Sequence, residues 1–279
     1  MGTELTHARH DRSHCLAPGL FRSLKKGARK KEKLDVSYCL GKEQVRFVGF
    51  EPLGADDLRL LQGIVALAGP AGVTLSPSPS AEVPKELRQL LETKQKAEQM
   101  DALMVSGKVG RLLAETGMSD GGKNIEGLKA SLVRLSNVSV IASRGDQVAS
   151  FRLLSFGFDG GTGQLHVGLN PRLAAAVVGN RPYARIDMRE VRSLKSDVAR
   201  LIHQRLCGFL DPGKSQRVGV GALSGYVWPD DAGREATMNQ RRHRVRKALR
   251  EIAGCGWGVT EYASGKFSFS RPPVSAAAP

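Results

Sequence analysis

The chain has 279 residues, of which 41% are hydrophobic and 25% charged, enough for one large domain or two small ones. Lys and Arg number 42 against 27 Asp and Glu, a net charge of +15 that argues for a polyanionic partner such as nucleic acid. The longest apolar stretches, 63–69 and 173–179, are far below the ~18 residues of a membrane span.

In chain order, residues 1–33 read as a basic, flexible arm. Residues 34–50 alternate around Gly41 and predict a hairpin. Residues 55–69 place Leu58, Leu61, Val65 and Ala68 at helical spacing, with Gly69 and Pro70 as a stop. Residues 70–101, rich in Pro and Ser and then in charge, read as a mobile insertion. A strand at 102–106, helices at 108–116 and 123–135, and β-rich runs at 138–143 and 148–156 then follow one another. Helix, tight turn, helix and hairpin is the order of a winged helix. A strand at 165–169 and a helix at 171–178 close this part.

The second half repeats the order. One long helix at 188–210 would span about 34 Å at 1.5 Å per residue, enough to bridge two modules. A strand at 218–220, helices at 222–227 and 235–253, and strands at 257–262 and 266–270 follow. Residues 273–279 read as a disordered tail. The expected fold is α+β, with two tandem winged-helix domains at 34–180 and 181–272.

Charge is concentrated at the two ends. Residues 1–40 hold nine Lys/Arg against four Asp/Glu, and residues 181–279 hold 18 against nine. The two densest clusters are 25–31 and 241–247. On a helix over 235–253, Met238, Val245, Leu249 and Ile252 would face the core, with Arg241 at the margin. The opposite face would show Asn239, Gln240, His243, Arg246, Lys247 and Arg250, with Arg242 alongside. Amide side chains can pair with adenine and Arg with guanine, while the remaining cations neutralise phosphates. No acidic residue lies between Arg241 and Arg250, so pairing within the helix does not account for the run. Lys266 in the following hairpin joins this candidate set. The counterpart helix offers Lys123, Asn124, Ser131 and Arg134, and the first hairpin offers Arg144.

Other chemistry is thin. Residues 208–215 match GxxxxGKS, but a phosphate loop needs a strand before it and a helix after it. Here a helix precedes and a strand follows, so the match reads as a helix end and a turn. His7, His10, His14 and Cys15 match no zinc spacing. Cys15, Cys39, Cys207 and Cys255 lack CxxC spacing and read as reduced thiols of a cytosolic protein. No secretory signal is apparent, and no metal or cofactor is expected.

Several segments are similar to a known family: HDRSHCLAPGLFRSLKKG (10–27), EPLGADDLRLLQGIVALAGP (51–70), LNPRLAAAVVG (169–179), IHQRLCGFLDPGK (202–214), LSGYVWP (223–229) and the stretch 238–272. They resemble the RepC replication initiators of IncQ-type plasmids. The resemblance implies two tandem winged helices that bind directly repeated origin sites (iterons) in duplex DNA and promote strand opening. It also implies a plasmid helicase and primase as partners, and no catalytic residue. A homodimer is compatible with this reading, and a membrane partner is not. Competing readings are a winged-helix repressor bound to an operator and a nucleotide-dependent replication factor using residues 208–215.

Overall fold

The computed structural model describes residues 5–25, 27–230 and 234–274. The chain opens with strand β1 (His7–Asp11) and helix α1 (Arg12–Leu16), followed by the hairpin β2 (Leu34–Leu40) and β3 (Glu43–Gly49). Helix α2 (Ala55–Ala71) leads to β4 (Val73–Leu75), α3 (Glu82–Leu90), β5 (Lys94–Gln95) and β6 (Ala102–Lys108). Then come α4 (Val109–Glu115), α5 (Gly122–Ser136), β7 (Ser139–Arg144), β8 (Gln147–Arg152), β9 (Leu154–Asp159), β10 (Gln164–Leu169) and α6 (Pro171–Val178). The second half holds β11 (Tyr183–Asp187), α7 (Met188–Ser193), α8 (Asp197–Phe209), β12 (Ser215–Gly219), α9 (Val220–Val227), α10 (Glu235–Ala253), β13 (Gly258–Ala263) and β14 (Lys266–Ser270).

One topological unit occurs twice. In the second half, α8, β12, α9 and α10 precede the hairpin β13–β14, and β12 pairs with β14 in the order β12-β14-β13. In the first half, α2, β6, α4 and α5 precede β9–β10, and β6 pairs with β10 in the order β6-β10-β9. The expected first hairpin at 138–156 therefore needs correction. Strands β7 and β8 are inserted between α5 and β9 and join a separate five-stranded sheet, β2-β3-β7-β8-β5. Their pairing with β3, almost a hundred residues upstream, is nonlocal and leaves no local trace in the sequence.

Helix α2 is buried on nearly all sides, as expected for a helix apolar around its circumference. Its Gln62 donates to Gln204 of α8 at 2.5 Å, both side chains buried. One hydrophobic core runs from Leu58 and Ile64 on α2 through Val198 and Leu206 on α8 to Leu249 on α10 and Phe269 on β14. The two units thus share a core, and a cut at 180 would divide it.

Three further expectations change. Residues 7–25 are no loose arm: β1 pairs with β11 in full register from His7–Asp187 to Asp11–Tyr183. Asp11 caps α1 and sits, fully buried, between Arg172 (3.1 Å) and Arg181 (3.0 Å), and Arg172 also pairs with Glu43 at 2.7 Å. Residues 70–101 carry regular structure, with Leu87 and Leu91 buried against Leu75 and Ala102. The long helix at 188–210 is broken at Leu194–Ser196, because Glu251 of α10 accepts from the amides of Lys195 (3.0 Å) and Ser196 (2.9 Å). A continuous 34 Å bridge does not form. Of the tail, 275–279 lie outside the described residues.

Candidate nucleic-acid interface

Helix α10 is anchored by Val245, Ala248, Leu249 and Ile252, all buried. Met238 does not join them and is 41% exposed. Instead, Arg241 and Arg244 lie over the ring of Trp228 at 5.4 and 5.0 Å, and Arg241 also donates to the Asp230 carbonyl at 2.9 Å. Their three-residue spacing puts both on one stripe, which stacks on an aromatic at the end of α9. The three-residue spacing of Arg244 from Arg241 is the sequence signal for this stack, whereas the charge run alone assigned Arg244 to phosphates.

The outer face of α10 shows Asn239, Gln240, His243, Lys247 and Arg250, all exposed. Among the described residues, Gln240, His243, Lys247 and Arg250 have no carboxylate partner. Two candidates on this helix are engaged within the molecule. Arg242 donates to Asn239 at 3.2 Å. Arg246 pairs with Glu261 of β13 at 2.9 Å, and Glu261 also accepts from the Gly265 amide at 2.7 Å. This bond holds the hairpin turn against the helix and keeps the Glu261 carboxyl below its usual range. Pairing was absent along the helix and is supplied across the fold. Lys266 is exposed beside that turn. On the outer face of the same sheet, Arg217 lies over the Tyr262 ring at 4.9 Å, a pair not anticipated from sequence.

Helix α5 occupies the equivalent place in the first unit and looks different. Ser131 is 3% exposed and Arg134 only 12%. Arg134 binds Asp57 (2.8 Å) and Asp56 (3.1 Å) at the start of α2 and donates to Ser131 (2.8 Å) on its own helix. Both were candidates for DNA contact and are turned inward by the packing of α5 on α2. Asn124 donates to the Ser119 carbonyl (2.8 Å) and hydroxyl (3.0 Å), closing the turn before α5. Lys123 is exposed, as is Lys129, whose ammonium lies 4.3 Å from the centre of the Phe158 ring on β9. Arg144 is exposed at the β7–β8 turn, outside the β9–β10 hairpin that completes this unit.

The phosphate-loop lookalike is a helix end followed by β12. A Cβ at Gly208 would lie 2.7 Å from Leu16 and 2.9 Å from Cys15, so this glycine permits α1 to approach α8. The Gly213 amide donates to the Arg271 carbonyl at 3.1 Å, which commits the loop to the fold. Glu190, His203 and Cys207 bring three metal-type ligand atoms within 4.8 Å of one another. Their bonding reads as a buried ion pair, with His203 at 2.6 Å from Glu190 and Trp257 donating to Glu190 at 3.1 Å. Burial opposes the His203 charge, but Cys207 and Glu190 outweigh it and raise its pKa to about 10. For His10, in contrast, burial and then the neighbouring His14 outweigh the charge of Asp11, and its pKa falls to about 3.

A family model described as Replication protein C (RepC) matches residues 2–273. The chain belongs to this RepC family. No curated protein matches its sequence. Two crystal structures of domains 2 and 3 of RctB are similar to this chain in fold. The selenomethionine form superposes with a TM-score of 0.55 at 10% identity, covering 95% of this chain and 99% of that one. A second has a TM-score of 0.52 at 10% identity, covering 91% and 92%. At this identity the likeness speaks to fold. Among the described residues, no helix is long and apolar enough to cross a membrane.

Proposed function

We propose that this RepC-family chain is a replication initiator that acts by binding rather than by catalysis. Its two topological units are read as tandem winged helices that engage directly repeated sites in duplex origin DNA. The observation that carries this reading is the outer face of α10, where Gln240, His243, Lys247 and Arg250 are exposed and, among the described residues, have no acidic partner. In the major groove, the amide would meet base edges and the cations would meet bases or phosphates. Lys266 would reach the flanking backbone from the hairpin.

The difference between α10 and α5 supports an asymmetric site. Two unequal readers suit direct repeats, whereas a symmetric dimer suits a palindrome. Several copies bound in phase would deform a neighbouring A·T-rich segment and promote opening, after which the helicase and primase of the plasmid would load. Footprinting of the full chain on DNA flanking its own gene, at two salt concentrations, tests this. Several tandem protected repeats that fade steeply with salt are expected. One symmetric site would favour the repressor reading instead, and uniform protection would remove sequence-specific binding altogether.

A further inference from the structure

The basic cluster on α10 is one of two in the sequence. The other, 25–31, runs past the start of α2, with Lys26 outside the described residues. There a cavity of about 610 Å³ opens between the two units. Its wall carries Arg22, Lys25, Arg29, Lys30, Arg59 and Arg200, against the two carboxylates of Asp56 and Asp197. The first turns of α2 and α8 both contribute to that wall, adding the positive ends of two helix dipoles.

The carboxylates around this cavity are already spoken for. Arg29 binds Asp56 (2.5 Å) and Asp57 (3.1 Å), and Arg22 binds Glu32 (2.5 Å) and Asp230 (3.4 Å). Arg200 donates to the carbonyls of Leu194 (2.6 Å) and Lys195 (3.0 Å) and stands 3.4 Å from Asp197. Lys25, Lys30 and Arg59 make no ion pair among the described residues. Arg59 donates to the Thr116 carbonyl at 2.5 Å and lies near the charges of both Arg200 and Asp197. Burial, and then the charge of Arg200, lower its pKa to about 10. An anion between these groups would relieve both effects.

The location suggests which anion. Met118, in the connection from α4 to α5, lines the cavity. On the other side, Asp230, in the connection from α9 to α10, is bound by Arg22 and by Arg241. The cavity therefore lies between the segments that lead into the two candidate recognition helices.

We propose that this cavity is a phosphate site in which Lys25, Lys30 and Arg59 meet the backbone of duplex DNA passing from one unit to the other. The proposal rests on the duplex-binding reading above. A free oligophosphate offers the same chemistry, and the test separates the two sources. Duplex affinity of the full chain is measured against salt for the parent, for Lys25→Gln/Lys30→Gln and for Lys247→Ala. The double variant changes two exposed side chains that make no ion pair among the described residues and leaves the core intact. It is expected to weaken specific and non-specific duplexes alike and to lower the slope of log affinity against log salt by about one to two. Thermal melting without DNA, in millimolar sodium tripolyphosphate, is the second arm. A melting rise that the double variant lacks, together with an unchanged salt slope, would keep the phosphate site but overturn the duplex as its occupant. An unchanged slope with no melting rise would overturn the site. If Lys247→Ala alone weakens binding, the duplex reading stands and this inference fails; if neither variant weakens it, the duplex reading itself fails.

Discussion

Helices α5 and α10 hold the same place in two units of the same topology, yet they present different chemistry. On α5 the one arginine is folded inward onto Asp56 and Asp57, and the exposed cations are Lys123 and Lys129. On α10 the arginines divide their work. Arg241 and Arg244 stack on Trp228, Arg246 fastens the hairpin, and Lys247 and Arg250 remain for a partner. A repeated topology therefore does not imply a repeated binding surface. The number of cations on a helix is a poor guide until the fold shows which are already paired.

The comparison can be broken at its base, in the shared core. Arg172→Ala would remove one of the two arginines from the buried Asp11 and leave Glu43 with Arg181 only, at a cost of about 3–5 kcal/mol. Urea unfolding should show one cooperative transition shifted to lower denaturant, and a loss below about 1 kcal/mol would restore the arm reading of the N-terminal segment. Next in size is the reading surface. Gln240→Ala should cost about 1–3 kcal/mol of specific affinity if it pairs with a base, with non-specific binding retained. Lys123→Ala should change affinity less, and the reverse order in a binding titration would exchange the roles of α5 and α10.

The buried histidines His10 and His203 give a further contrast. His10 has a native pKa of about 3, below the ordinary 6.5, so the unfolded chain takes up its proton first. Its contribution is present above pH 6.5 and is lost as pH falls toward 3, by about 1–2 kcal/mol at pH 5. His203 runs the other way, with a native pKa of about 10. Its contribution is present below pH 6.5 and disappears as pH rises through 10. His10→Asn should flatten the acid side of a stability–pH curve, and His203→Gln the alkaline side; an unaltered acid limb in His10→Asn would sink the first assignment. The smallest effect is expected from Glu261→Gln, which releases Arg246 and removes a negative charge beside the candidate interface. Duplex affinity should rise modestly, and a marked fall would show that the hairpin position set by this pair matters more than the charge.

How much could be read without the structure varied by region. The second unit was legible because its signals are local: the spacing of Val245, Leu249 and Ile252 on α10, and the turn at Ser264 and Gly265 between β13 and β14. The first unit was misread at its hairpin, because β6 pairs with β10 across an inserted pair of strands. The N-terminal segment was misread for a related reason. Its charged composition suggests solvent, but Asp11 and His10 are buried by a strand and two arginines about 170 residues later. Arg134 and Arg246 could not be excluded from the candidate site, since their carboxylate partners lie on other elements.

The unequal roles of the two helices are tested most directly by a salt titration of duplex affinity. The parent chain would be compared with Gln240→Ala/Lys247→Ala/Arg250→Ala on α10 and with Lys123→Ala/Lys129→Ala on α5. Loss of specific binding and a shallower salt slope in the α10 variant, with specificity retained in the α5 variant, is the expected result. Equal losses in both, or retention in the α10 variant, would contradict it.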